Sequence, residues 1–156
     1  MKAKVVIDAN ILITALIGSW KTFEIIDSGK CIFYAPSIIT KEVQKHLSYV
    51  CLKTQRKPDE VYRRFYSLLK CVKVIQNNKH HTFLEIAKQH MTRDLSDTEY
   101  LSCALAVKAD FIWTNDKDFI SQKLVPCKTT EQLLKRIKTF KYLDSLISSK
   151  KRERLR

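Results

Sequence analysis

The sequence predicts an α/β fold with a central, mainly parallel sheet, and three observations point there. Lys4-Val-Val-Ile-Asp8 is a continuous apolar run ending in an acid, the composition of a parallel strand covered on both faces. Phe111-Ile-Trp-Thr114 is a second such run, β-branched or aromatic, and it too is followed by acids. Between the runs lie stretches of helical periodicity, the alternation that an α/β sheet requires.

Taken in order, the first strand ends at Asp8, and Asn10 leads into Ile11 to Ile17, apolar on most sides and expected as a buried helix or turn. Trp20 to Asp27 reads as a short helix closed by Ser28-Gly-Lys30, with Gly at its C-cap. Cys31 to Ala35 is the second strand, stopped by Pro36. Ser37 is expected to cap one helix in which Ile39, Val43, Leu47 and Val50 form an apolar stripe. Glu42 falls on the shoulder of that stripe, where the spacing alone fits a solvated residue as well as a functional one.

From Asp59 to Lys70 a helix carries Val61, Phe65 and Leu68 on one face with Arg63 and Arg64 on another, and Cys71 to Ile75 follows as an edge strand. Thr82 to Met91 is again helical. Ser96 and Glu99 have the spacing of a capping box, which starts the next helix at Asp97. After Phe111 to Thr114, Asn115-Asp116-Lys117-Asp118 places two carboxylates at a strand's C-terminal end, the edge where ligands bind in open α/β sheets. Thr129 with Gln132 caps a closing amphipathic helix through Leu133, Leu134, Ile137 and Phe140.

The chain of 156 residues suits one domain, assigned to residues 1–148, with a basic tail at 149–156 expected to be disordered. That tail is either a frayed end or an RNA-contacting arm through Lys151 and Arg152. The net charge of +13 favours polyanionic partners over neutral ones. Five cysteines without a CxxC pair indicate neither a disulfide framework nor a zinc site, and point to reduced thiols in the cytoplasm. The N-terminus enters a strand at once without the pattern of a signal peptide, and no apolar run approaches the roughly 20 residues of a membrane span. His80-His81 lies in a polar loop, and adjacent histidines do not converge on a metal as an i, i+4 pair would.

Asp8, Glu42, Asp97 and Asp116 thus fall at strand ends or helix starts that this topology brings to one edge. Singly, each has an ordinary explanation; for Asp97 it is the helix macrodipole, which favours an acid in the first turn. Together they would repel one another unless a hard cation such as Mg²⁺ or Mn²⁺ joined them. Such an ion suits phosphodiester hydrolysis, since it polarises a phosphoryl oxygen and activates water without a histidine base.

Val6-Ile-Asp8-Ala-Asn10, Pro36-Ser37 with Glu42-Val43, Asp97 ahead of Ala104-Leu105-Ala106, and Thr114-Asn-Asp116-Lys-Asp118-Phe resemble the PIN domain in order and spacing over residues 4 to 140. The resemblance implies a three-layer α/β/α sandwich and a Mg²⁺- or Mn²⁺-dependent ribonuclease acting on single-stranded RNA. It implies Asp8, Glu42, Asp97 and Asp116 as catalytic acids, with Asp8, Asp97, Asp116 and Asp118 towards the metal, and Asn10 and Thr114 in support. Many members are toxins of toxin–antitoxin pairs, commonly dimeric, so a small antitoxin protein and a homodimer are implied partners. Arg63, Arg64 and Lys117 join Lys151 and Arg152 as the expected RNA contacts. Ala9 departs from the family, where a hydroxyl residue often follows the first Asp.

Asp94 competes with Asp97, because it also precedes the helix; the capping box and the spacing to Ala104 favour Asp97. The rival from another class is a non-catalytic RNA- or protein-binding module on the same scaffold. A phosphoacceptor receiver would want an acidic pair after its first strand, and a dinucleotide enzyme a GxGxxG; the chain has only Gly18 and Gly29.

Overall fold

A computed structural model describes residues 1–91 and 94–153, with the side chains of Leu146 and of residues 149–153 outside the described part. Among the described residues one parallel sheet runs in the order β3-β2-β1-β4-β5. Its strands are β1 (Ala3–Ile7), β2 (Cys31–Pro36), β3 (Val72–Ile75), β4 (Phe111–Trp113) and β5 (Cys127–Lys128). Val5, Val6 and Ile7 are wholly buried, which explains why β1 lacks alternation: helices cover both of its faces. The chain runs outward from β1 through β2 to β3, then returns to β1's other side as β4. Between β1 and β4 the strand order therefore reverses, the switch point at which open α/β sheets bind ligands.

The α/β expectation holds, and the details that differ have local causes. Ala9–Ile17 is α1, capped by Asp8, and Trp20–Asp27 is α2, capped by Ser19. The helix expected as one piece after Ser37 is two, α3 (Ile39–Lys45) and α4 (Leu47–Thr54), hinged at His46. Ser37 does not cap α3; its hydroxyl donates to Asn77 Oδ1 at 2.8 Å. Pro58–Leu69 is α5, with Pro at its first position, where the missing N–H costs nothing. Asn77–His80 is α6, followed by a 3-10 turn at His81–Phe83 and α7 (Leu84–His90).

The capping box at Ser96 and Glu99 does not form. Asp94 caps α8 (Leu95–Val107) instead, accepting from the Ser96 amide at 2.8 Å and its hydroxyl at 2.7 Å, so the helix begins two residues before Asp97. A carboxylate is the stronger acceptor and took the cap from the hydroxyl. Lys117–Ser121 is a short α9 that the sequence did not announce. The Thr129 and Gln132 box does form, each side chain accepting from the other's amide at 3.3 and 2.9 Å, and opens α10 (Thr130–Glu153). Helix α10 runs into the segment expected to be disordered, and residues 154–156 lie outside the described part. No single helix among the described residues is long and apolar enough to cross a membrane.

Candidate active site

The register of β1 on β4 pairs Ile7 with Trp113, so Asp8 and Thr114 leave the sheet side by side. The Asp8 amide donates to the Trp113 carbonyl at 3.1 Å, which fixes where its side chain emerges. Thr114 is buried, and its hydroxyl joins the two acids. It donates to Asp8 Oδ2 at 2.8 Å and accepts from the Asp116 amide at 3.0 Å. The other oxygen of Asp8 accepts from the Asn10 amide at 3.3 Å, as the N-cap of α1. Asp116 caps α9 through Asp118's amide at 2.9 Å.

Asp8, Asn10, Glu42, Lys45, His46, Asp94, Ser96, Asp97 and Asp116 line one cavity of about 260 Å³ above the β1/β4 switch point. The four acids expected to converge do converge. Among the described residues none of the four forms an ion pair. Burial pushes the Asp8 carboxyl up to about 6, against the pull of the Thr114 and Asn10 bonds, with the charges of Glu42 and Asp116 adding to the rise. Burial likewise pushes Asp97 up to about 7, helped by the negative charges of Asp94, Asp8, Asp116 and Glu42. Both values mean that negative charge is held here at a cost that water relieves only in part.

Asp94 and Asp97 are told apart by what they do. Asp94 is spent on the helix cap, and its bonds to Ser96 hold its carboxyl below the usual range. Asp97, one turn on, faces the other acids. The structure does not bring Asp118 into the cavity lining; it is exposed in the first turn of α9. Arg63 and Arg64 sit on α5 and line a separate groove with Phe23, Ile26 and Leu68, where Arg64 pairs with Glu60 at 3.2 Å. Lys117 is exposed beside Asp116 but outside the lining. The side chains of Lys151 and Arg152 lie outside the described residues.

Three residues of the site were not assigned to it from the sequence. Lys45 and His46, both exposed, bring positive or protonatable groups to the cavity from the hinge between α3 and α4. Tyr100, on the Asp97 face of α8, donates its phenol to Glu42 Oε2. Burial and the surrounding carboxylates raise the phenol's pKa, so it remains a donor. The i, i+3 spacing from Asp97 was the one available sequence signal.

The residues present fit a hard divalent ion. The charged oxygen donors are carboxylates, and Lys45, which also lines the cavity, forms no ion pair with the four acids among the described residues. Among the described residues no three acidic, histidine or cysteine side chains stand close enough to form a ready-made metal shell.

The raised pKa of Asp97 has a direct consequence for the metal-free protein. The folded state holds the Asp97 proton more tightly than the unfolded chain does, so this contribution is fully present below the ordinary value of 3.8 and is lost as pH rises through about 7. Asp97→Asn, which cannot ionise, should stabilise the metal-free fold by about 1–2 kcal/mol near pH 8, after allowing for solvent screening, and by almost nothing near pH 4. Urea unfolding in EDTA at the two pH values checks this.

A parallel α/β domain with four acids lining a cavity over its switch point defines the class of open α/β domain with an acidic candidate site, and sequence comparison gives the particular family. The PIN domain family profile matches residues 6–138, and the chain belongs to the PIN domain family. No curated protein matches at a significant level. In fold the chain is similar to PAE2754 from Pyrobaculum aerophilum, with TM-score 0.66 and 17% identity over 88% of this chain and 90% of that one. It is also similar to a chain of VapBC2 from Rickettsia felis bound to a DNA fragment from their promoter, with TM-score 0.63 and 16% identity over 81% and 98%. A toxin–antitoxin complex from Klebsiella pneumoniae gives TM-score 0.60 and 19% identity over 81% and 97%.

Proposed function

We propose that this PIN domain is a Mg²⁺- or Mn²⁺-dependent endoribonuclease that hydrolyses single-stranded RNA, acting as the toxin of a toxin–antitoxin pair. The observation that carries the reading is the convergence of Asp8, Glu42, Asp97 and Asp116 in one cavity, with no ion pair to any of them among the described residues. Asp8, Asp97 and Asp116 would hold the ion, with Glu42 offering it a further carboxylate oxygen. When bound, the ion supplies charge neutralisation for a phosphate and an activated water.

The chain's own residues do the rest. Thr114 keeps Asp8 and the Asp116 backbone in fixed relation, so the carboxylates stay in position between turnovers. Lys45 and His46 face an entering phosphate with groups that can donate to its oxygens. The net charge of +13 supports a polyanionic substrate, and longer-range attraction would raise its local concentration. An antitoxin partner is supported by the toxin–antitoxin assemblies among the similar folds. We infer a homodimer in the cytoplasm, the setting that suits five unpaired cysteines.

The test is cleavage of a single-stranded RNA by the purified chain. Cleavage in Mn²⁺ that is abolished by EDTA is the expected result, and RNA bound but left intact in Mn²⁺ would return the chain to the non-catalytic class.

A further inference from the structure

We propose that Tyr100 is a positioning residue that biases Glu42 towards binding through one carboxylate oxygen and so biases the cavity towards small octahedral cations over Ca²⁺. The inference rests on the metal-dependent reading above and deepens it. Among the described residues the Tyr100 hydroxyl is the only hydrogen-bond partner of the Glu42 carboxylate, and it engages Oε2. Glu42 comes from α3 and Tyr100 from α8, 58 positions apart in the chain, so the bond ties together the two helices that flank the cavity. Tyr100 is 1% exposed and its ring meets Phe119 edge-on at 6.2 Å, so the donor cannot swing away without disturbing the core beneath α9.

The consequence follows from ion size. A carboxylate oxygen that accepts one hydrogen bond keeps a second lone pair but is the poorer ligand, so the carboxylate favours binding through its other oxygen and disfavours bidentate chelation. Mg²⁺ accepts single oxygens in near-ideal octahedral geometry, whereas Ca²⁺ takes six to eight oxygens and often uses carboxylates through both. Partners of this kind, one step behind a ligand, typically change metal affinity about 10–100-fold when removed.

The experiment measures Mn²⁺ binding and Ca²⁺ competition by titration calorimetry on the full chain, without RNA. Tyr100→Phe keeps the ring and its packing. It is expected to weaken Mn²⁺ about 10–100-fold and to narrow the preference for Mn²⁺ over Ca²⁺. In a Glu42→Ala background the same substitution should have no effect on Mn²⁺ affinity, which a general disturbance of the fold would not reproduce. If wild type binds Mn²⁺ and Tyr100→Phe binds it equally with unchanged discrimination, or if the effect persists without Glu42, the positioning role is overturned and the nuclease reading stands. If wild type binds no Mn²⁺ at all, both fall.

Discussion

Asp8→Asn is expected to lower RNA cleavage in Mn²⁺ by about 10³-fold or more, while leaving the protein folded. The substitution preserves shape and leaves one oxygen that can still accept from Thr114; it removes the charge and turns the other oxygen, which accepts weakly from the Asn10 amide at 3.3 Å, into a donor. Because burial already disfavours that charge, pushing the Asp8 carboxyl up to about 6, its loss should not weaken the fold; unfolding free energy should stay within about 1 kcal/mol of wild type. Asp116→Asn should do the same to cleavage. Asp118→Asn should have far less effect, since Asp118 does not line the cavity. Cleavage that survives both Asp8→Asn and Asp116→Asn would remove the acids from the mechanism.

Thr114→Val should weaken both fold and site. Valine matches threonine in shape but can neither donate to Asp8 nor accept from the Asp116 amide, the two bonds at 2.8 and 3.0 Å. Asp8 is 5% exposed, so its lost donor is not replaced by water. The expected destabilisation is about 2–4 kcal/mol, read by urea unfolding. Asp8 would partly escape by holding its proton to higher pH, which caps the loss near neutrality and shifts the pH dependence of cleavage upward. Thr114→Ser, which keeps the hydroxyl and gives up one methyl, should lose only about 1 kcal/mol. Equal losses in the two variants would mean that packing, not the hydroxyl bridge, is what Thr114 contributes.

How much of this was readable beforehand depends on whether a feature is local. Asp8 and Asp116 were legible because each ends a short apolar run, and a parallel strand's end is a place the topology alone assigns. Asp97 was favoured over Asp94 on two grounds, its spacing to Ala104 and the expected capping box, and the second failed. The Ser96 and Glu99 box does not exist, and Asp97 faces the cavity because Asp94 took the cap. Glu42 could not be decided from spacing, since its role depends on α3 ending at Lys45 and on Tyr100 arriving from another helix. Tyr100, Lys45 and His46 were missed for that same reason: their positions exist only once α3, α4 and α8 are packed. The two-residue β5 and the five-residue α9 are too short to show a period. The arginines on α5 were legible as a basic face, but nothing in the sequence told that this face lines a different groove.

The account stands on a divalent ion held by acids from β1, α8 and the β4 end. Anomalous scattering from a crystal soaked in Mn²⁺ tests that directly. A peak in the cavity between Asp8, Asp97 and Asp116 is the predicted result. An empty cavity in a crystal whose acids are ionised, or a peak elsewhere such as beside His80 and Glu99, whose Nε2 and Oε2 atoms lie 3.6 Å apart, would contradict it.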